Sequence, residues 1–174
     1  MQARAKLNTI ATEVVNEMDR EADITNRLFE IIPNDKLDWR PHPKAKSLGE
    51  LAMHIAVLPG NVAELAVKDV HEFTGIPKDP QVTSLEQIQA AFAENLEKAK
   101  EIVRSTDDEN AVKEVQLVVN GKTAFAAPRI GFWRTVLLNH NYHHRGQLST
   151  YLRILDVPLP SIYGPSADSN PFDQ

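Results

Sequence analysis

Apolar residues recur at every third or fourth position through four long stretches of this 174-residue chain, a period that belongs to amphipathic helices. In the first, residues 4–32, the face is marked by Leu7, Ile10, Val14, Met18, Thr25, Leu28 and Ile32. Pro33 ends it, and Pro41 and Pro43 exclude helix from the segment that follows. A second helix opens at Ser47-Leu48-Gly49-Glu50, which fits a capping box, and continues through Leu51, Ile55, Leu58, Val62 and Leu65. Pro59-Gly60 lies inside that run and is expected to kink the helix or end it locally. Ser84-Leu85-Glu86-Gln87 offers a second capping box and starts a helix of about 20 residues, after a connector from Gly75 to Pro80. The fourth helix runs from Pro128 to about Leu155.

One short passage breaks the helical period. Val115, Leu117 and Val119 alternate with polar neighbours, Asn120-Gly121 is a favoured two-residue turn, and Thr123 and Phe125 continue beyond it, which reads as a β-hairpin. Residues 155–174 carry prolines at 158, 160, 165 and 171 and read as an extended tail laid over the body. The fold class predicted is therefore all-α. It is a four-helix bundle with a long connection and a small hairpin before the last helix, in a single domain spanning 1–174.

Composition narrows the partners. With 19 basic and 24 acidic residues the net charge is −5, so no basic excess exists to bind a nucleic-acid backbone. The absence of cysteine excludes disulfides, thiolate metal sites, iron–sulfur clusters and a cysteine nucleophile of the protein's own, and suits a cytoplasmic location. No apolar run exceeds four residues, so neither a membrane span nor a secretory signal is expected.

The histidines carry the chemistry. On a regular fourth helix, His140 and His144 fall near the middle of the apolar stripe with Trp133, Leu137, Leu148 and Tyr151; His143 lies at its border and Arg145 points away. Imidazoles at i and i+4 can converge on one ion, and two of them among apolar neighbours need partners of some kind. A core role and a ligand role are equally open for this pair. His54, on the edge of the second helix's buried face, reads either as a satisfied core histidine or as a third ligand that leaves a coordination position free. His42 and His71 read as loop and solvated residues, and Glu50 as the capping partner rather than a ligand. Arg40, Lys44 and Lys46 read as a solvated loop that could also attract an anionic substrate. His140 and His144 have the spacing of zinc proteases, but Asn141 stands where the general-base Glu would be, and no paired Glu-x-x-His motif supports a di-iron centre.

Leu51-Ala52-Met53-His54-Ile55-Ala56 and His140-Asn141-Tyr142-His143-His144-Arg145-Gly146-Gln147-Leu148 together resemble the DinB-like superfamily of metal-binding four-helix bundles. Leu37-Asp38-Trp39-Arg40-Pro41 and the segment from Pro160 to Asp168 support the resemblance. It implies that His54, His140 and His144 bind a divalent metal, with Zn or Ni first and Fe or Mn as alternatives, and that the protein is a homodimer. Similar proteins include thiol-dependent S-transferases and isomerases. The function expected is a metalloenzyme of S-transferase or hydrolase type acting on a small molecule by activating a bound water or a low-molecular-weight thiol. The alternatives are a non-catalytic metal- or ligand-binding stress-response protein and a plain bundle with core histidines. No catalytic base is evident; His143 and Tyr142 are the candidates. Because ligating imidazoles must be unprotonated, metal release is expected below about pH 6.

Overall fold

The computed structural model describes residues 8–75 and 78–172. The first turn expected of the opening helix, with Leu7, and the last two residues of the tail lie outside the described residues.

The first helix, α1 (Thr9–Glu30), buries Val14, Met18, Thr25 and Leu28 as its period requires. The second, α2 (Leu48–Leu65), begins with the capping box: Glu50 N–H donates to Ser47 Oγ at 3.2 Å, and Ser47 N–H donates back to Glu50 Oε2 at 2.6 Å. It runs through Pro59 without ending. At Gly60, the next residue, α3 (Leu85–Arg104) passes so close that a Cβ would sit 2.3 Å from Asn95 Oδ1. The α3 cap is only half a box. Ser84 Oγ accepts from Gln87 N–H at 3.2 Å, but the Gln87 side chain reaches one residue further back, to Thr83 N–H.

A three-residue strand follows α2, β1 (Val70–Glu72), which sequence patterning did not reveal. It pairs in parallel with β2 (Glu114–Val119), which in turn pairs antiparallel with β3 (Lys122–Pro128). Asn120 and Gly121 make the turn with φ of 50° and 72°, the left-handed pair that a tight hairpin needs. A four-residue helix, α4 (Asp108–Ala111), precedes the hairpin, capped by Asp107 Oδ1 accepting from Asn110 N–H at 2.9 Å. Arg129 ties the hairpin to the end of α2. Its buried guanidinium donates to Ala66 O at 2.7 Å and to Asp69 Oδ1 at 2.5 Å.

The closing helical stretch is not one regular helix. It starts as α5 (Arg129–Phe132), widens into a π-helical segment over Trp133–Leu138, and returns to α-helical geometry in α6 (Asn139–Ile154). A π turn inserts about one residue, hence about 100° of phase, between the two halves. The buried residues of α6 are Asn141, Arg145, Leu148 and Leu152, and the re-phasing brings Trp133 and Leu137 onto that same face. His140 and His144 are consequently half-buried at the edge of the face rather than central to it, correcting the expectation from a regular helix.

Arg145 is the other correction. Instead of pointing away, its side chain is 2% exposed and ion-paired with Glu21 of α1. It also donates to Glu21 O at 3.0 Å and to Tyr163 OH, and lies over the rings of Tyr142 and Tyr163. A fixed charge tolerates that depth only because a carboxylate and neutral acceptors surround it. Tyr163 belongs to the irregular segment after α6, which is held further by Asp168, bonded to Arg153 and to Leu159 N–H. Phe29 and Phe92 meet edge to face at 5.4 Å where α1 and α3 pack beside α2. No helix among the described residues is long and apolar enough to cross a membrane.

Candidate metal centre

From Leu51 to Gly60 every residue is buried except one, His54. Apolar neighbours hold α2 in the interior, so the single polar side chain of that stretch emerges at a fixed point. There it meets His140 and His144, one turn apart on α6. The centroid of the His54 ring lies 5.6 Å from that of His140 and 4.6 Å from that of His144, and the latter two are 4.6 Å apart. One nitrogen from each ring can be chosen so that all three lie within 4.8 Å of one another. The group could hold a metal ion.

The hydrogen bonds decide which nitrogens are free. His54 Nδ1 lies 2.9 Å from Asp79 Oδ2, a carboxylate that can only accept, so Nδ1 carries a proton and, in the neutral ring, Nε2 is the nitrogen with the lone pair. His144 Nδ1 lies 2.8 Å from Gln147 Oε1, again an acceptor, which leaves Nε2 of that ring unprotonated. That Nε2 is 2.8 Å from Nε2 of His140. The pair can persist there in two ways: His140 donates a proton to His144, or a cation lies between two lone pairs. The donor set is all imidazole, which suits Zn, Ni, Cu or Fe, and each ring of a metal-binding histidine ordinarily has its second nitrogen bonded. The residues present therefore fit a divalent ion.

Electrostatics favour the neutral forms of His140 and His144. Burial pushes the His144 pKa down from 6.5 to about 4, with the charge of His54 and His140 adding to it. Burial also lowers His140, followed by repulsion from His54, against an opposing pull from the Val136 carbonyl. Burial works to raise Asp79, yet the hydrogen bonds from His54 and from Lys46 Nζ, at 3.0 Å, outweigh it and hold this carboxyl below its ordinary value.

The other sequence candidates fall elsewhere. His143 is exposed beside His144, with ring centroids 5.0 Å apart. Tyr142 turns to α1, where its hydroxyl donates to Glu17 Oε1 at 2.7 Å; burial, then that hydrogen bond, raise its pKa further, so it is not a base for this site. His42 stays in its loop, with Nδ1 accepting from Lys44 N–H. His71 is half-buried on β1 rather than solvated. Glu50 serves its cap and pairs with Arg40 at 3.4 Å, and Lys46 is bound to Asp79, so the basic loop is partly neutralised. Asp79 went unrecognised in the sequence. It stands in a connector 25 residues from His54, and Lys78-Asp79-Pro80 carries no local mark of that contact.

A cleft of about 1090 Å³ opens beside the rings, lined by His54, His140, Asp79 and residues of α2, the sheet and the π-helical segment. Fold and site together define a mostly helical protein with three convergent imidazoles at the side of a large cleft. The chain belongs to the DinB superfamily, whose family model matches residues 17–148. Two solved structures share the fold. One is a DinB-like protein from Bacillus cereus, with 21% identity over 86% of this chain and 95% of that chain and a TM-score of 0.67. The other is a DinB-like protein from Bacillus subtilis, with 20% identity over 83% of this chain and 92% of that one and a TM-score of 0.63. No functionally curated protein matches the chain.

Proposed function

We propose that this protein is a divalent-metal protein in which His54, His140 and His144 hold one ion through their Nε2 atoms, and that it acts as a metalloenzyme on a small molecule. The observation carrying this reading is the convergence of three imidazoles whose orientation is already set: Asp79 and Gln147 occupy Nδ1 of His54 and His144, and the Nε2 atoms of His140 and His144 face each other at 2.8 Å. Zn²⁺ or Ni²⁺ is the first choice, with Fe or Mn as alternatives. Such an ion, when bound, supplies Lewis acidity and lowers the pKa of a coordinated water or thiol. With no cysteine in the chain, a thiol would have to be a diffusible low-molecular-weight one, giving S-transferase chemistry, whereas water would give hydrolysis.

The chain's own residues have separable tasks in this reading. The four long helices form a four-helix bundle that fixes the rings, and the proline-containing C-terminal segment straps across α1 and α6. Asp79 orients His54, and Lys46 keeps Asp79 charged. Burial keeps His140 and His144 unprotonated at neutral pH. Three protein ligands leave positions open for substrate. A homodimer and a cytoplasmic location complete the proposal; the mass in solution checks the former.

One observation favours the non-catalytic alternative, a metal- or ligand-binding stress protein. Asp79 and Glu50, the carboxylates beside His54 in the cleft, are already committed to His54 and Lys46 and to Ser47 and Arg40. Two experiments test the proposal. Metal analysis after purification without a nickel column should find about one ion per chain, lost in His140→Ala. A screen of thiol-plus-electrophile and hydrolytic substrates should find metal-dependent turnover. Stoichiometric metal retained by His140→Ala refutes the ligand set, and metal without turnover selects the binding protein.

A further inference from the structure

The cleft is not uniform. On α2, Leu58, Val62 and Leu65 follow His54 by four, eight and eleven residues, so they share its face and extend away from it for about 16 Å along the helix axis. Across from them stand Phe73, just past β1, Leu117 of β2 and Val136 of the π-helical segment. Leu65, Phe73, Leu117 and Val136 are only half-buried. Four elements thus contribute incompletely covered apolar surface to one concavity. Toward the start of α2 the character changes to Lys46, Glu50 and Asp79, but those charges are already paired, Lys46 with Asp79 at 3.0 Å and Glu50 with Arg40 at 3.4 Å. The three charges nearest His54 are thus committed to one another and to Arg40, while Asp38, Glu64, His71 and Lys78 also line the cleft. Small-molecule sites typically measure about 300–1,000 Å³, and this one, at about 1090 Å³, has room for a long occupant.

We propose that the cleft takes ligands with an extended apolar tail and a metal-binding head, the head at His54, His140 and His144 and the tail against the half-buried Leu65, Phe73, Leu117 and Val136, with the almost fully buried Leu58 and Val62 giving only a small part of the lining. This assignment rests on the metal reading for its head and on the apolar cleft for its tail. The two parts fail separately.

The test uses the full chain loaded with Zn²⁺ alone and a series of straight-chain hydroxamates, from aceto- through butyro-, hexano- and octano- to decanohydroxamate, with affinities measured by calorimetry. Affinity should rise by about 3–4-fold per added methylene until the cleft is filled. Leu117→Glu should flatten the rise while leaving zinc stoichiometry and acetohydroxamate affinity unchanged. Phe73→Asp, outside the helical core, serves the same purpose if Leu117→Glu does not fold. A parallel arm uses metal-free protein, with alkyl carboxylates of matching lengths displacing an environment-sensitive dye. One equivalent of zinc with affinities independent of chain length overturns the tail assignment. No zinc binding, with chain-length dependence intact in the metal-free arm, overturns the metal reading and leaves the apolar cleft standing.

Discussion

Replacing Asp79 probes the site without touching a proposed ligand. Its Oδ2 accepts from His54 Nδ1 at 2.9 Å, and both side chains are 17% exposed, so water screens the contact only in part. Lys46 holds the same oxygen at 3.0 Å, which fixes the carboxylate and keeps it ionised. A carboxylate behind a ligating imidazole sets its tautomer and raises its basicity, and losing one costs about 10–100-fold in metal affinity. Asp79→Asn keeps an acceptor but loses the charge, so its zinc Kd should rise by about 10-fold. Asp79→Ala loses both and should approach 100-fold, or about 2.7 kcal/mol. Lys46→Met leaves the His54 contact in place and should have the smallest effect of the three. Competition against a chromophoric chelator gives the Kd, and circular dichroism confirms that each variant is folded. A folded Asp79→Ala protein with wild-type zinc affinity would refute the role given to Asp79.

Three further outcomes follow from the same structure. Burial depresses the folded-state pKa of His144 from 6.5 to about 4, so its neutral form contributes stability above pH 6.5 that is lost as pH falls toward 4. The melting temperature of metal-free protein should fall across that window, less steeply in His144→Gln, and zinc should be retained somewhat below the pH 6 expected of free imidazoles; an identical slope in the variant contradicts this. Arg145→Met strands Glu21 without its buried partner and should cost about 3–5 kcal/mol, lowering Tm by roughly 10 °C; thermal unfolding near wild type would show that the pair contributes little. Gly60→Ala forces a Cβ against Asn95 and should destabilise by about 1–3 kcal/mol in chemical denaturation, with Asn95→Ala restoring most of the loss.

The local rules were legible where the signal lies within a few residues. Ser47 with Glu50, Asn120 with Gly121, and the 20-residue span of α3 after Ser84 all formed as their sequences dictate. The three histidines that meet in the structure are those marked in the sequence, because His140 and His144 share a helix face and His54 interrupts an apolar one. What escaped depends on distant partners. Val70-His71-Glu72 is too short to show alternation and becomes a strand only against Gln116, Leu117 and Val118. Arg145 reads as a surface residue until Glu21 and Thr25, more than a hundred residues earlier, are packed against it. The π turn leaves no mark in composition, and it rotates everything before His140 by about one residue's worth of phase.

Anomalous diffraction from zinc-loaded crystals, recorded on both sides of the metal's absorption edge, is the most direct examination of the site. One peak per chain should appear about 2.0–2.1 Å from Nε2 of His54, His140 and His144, with Asp79 still bonded to Nδ1 of His54. A peak bound by other residues, or no peak and a proton shared between His140 and His144, would contradict it.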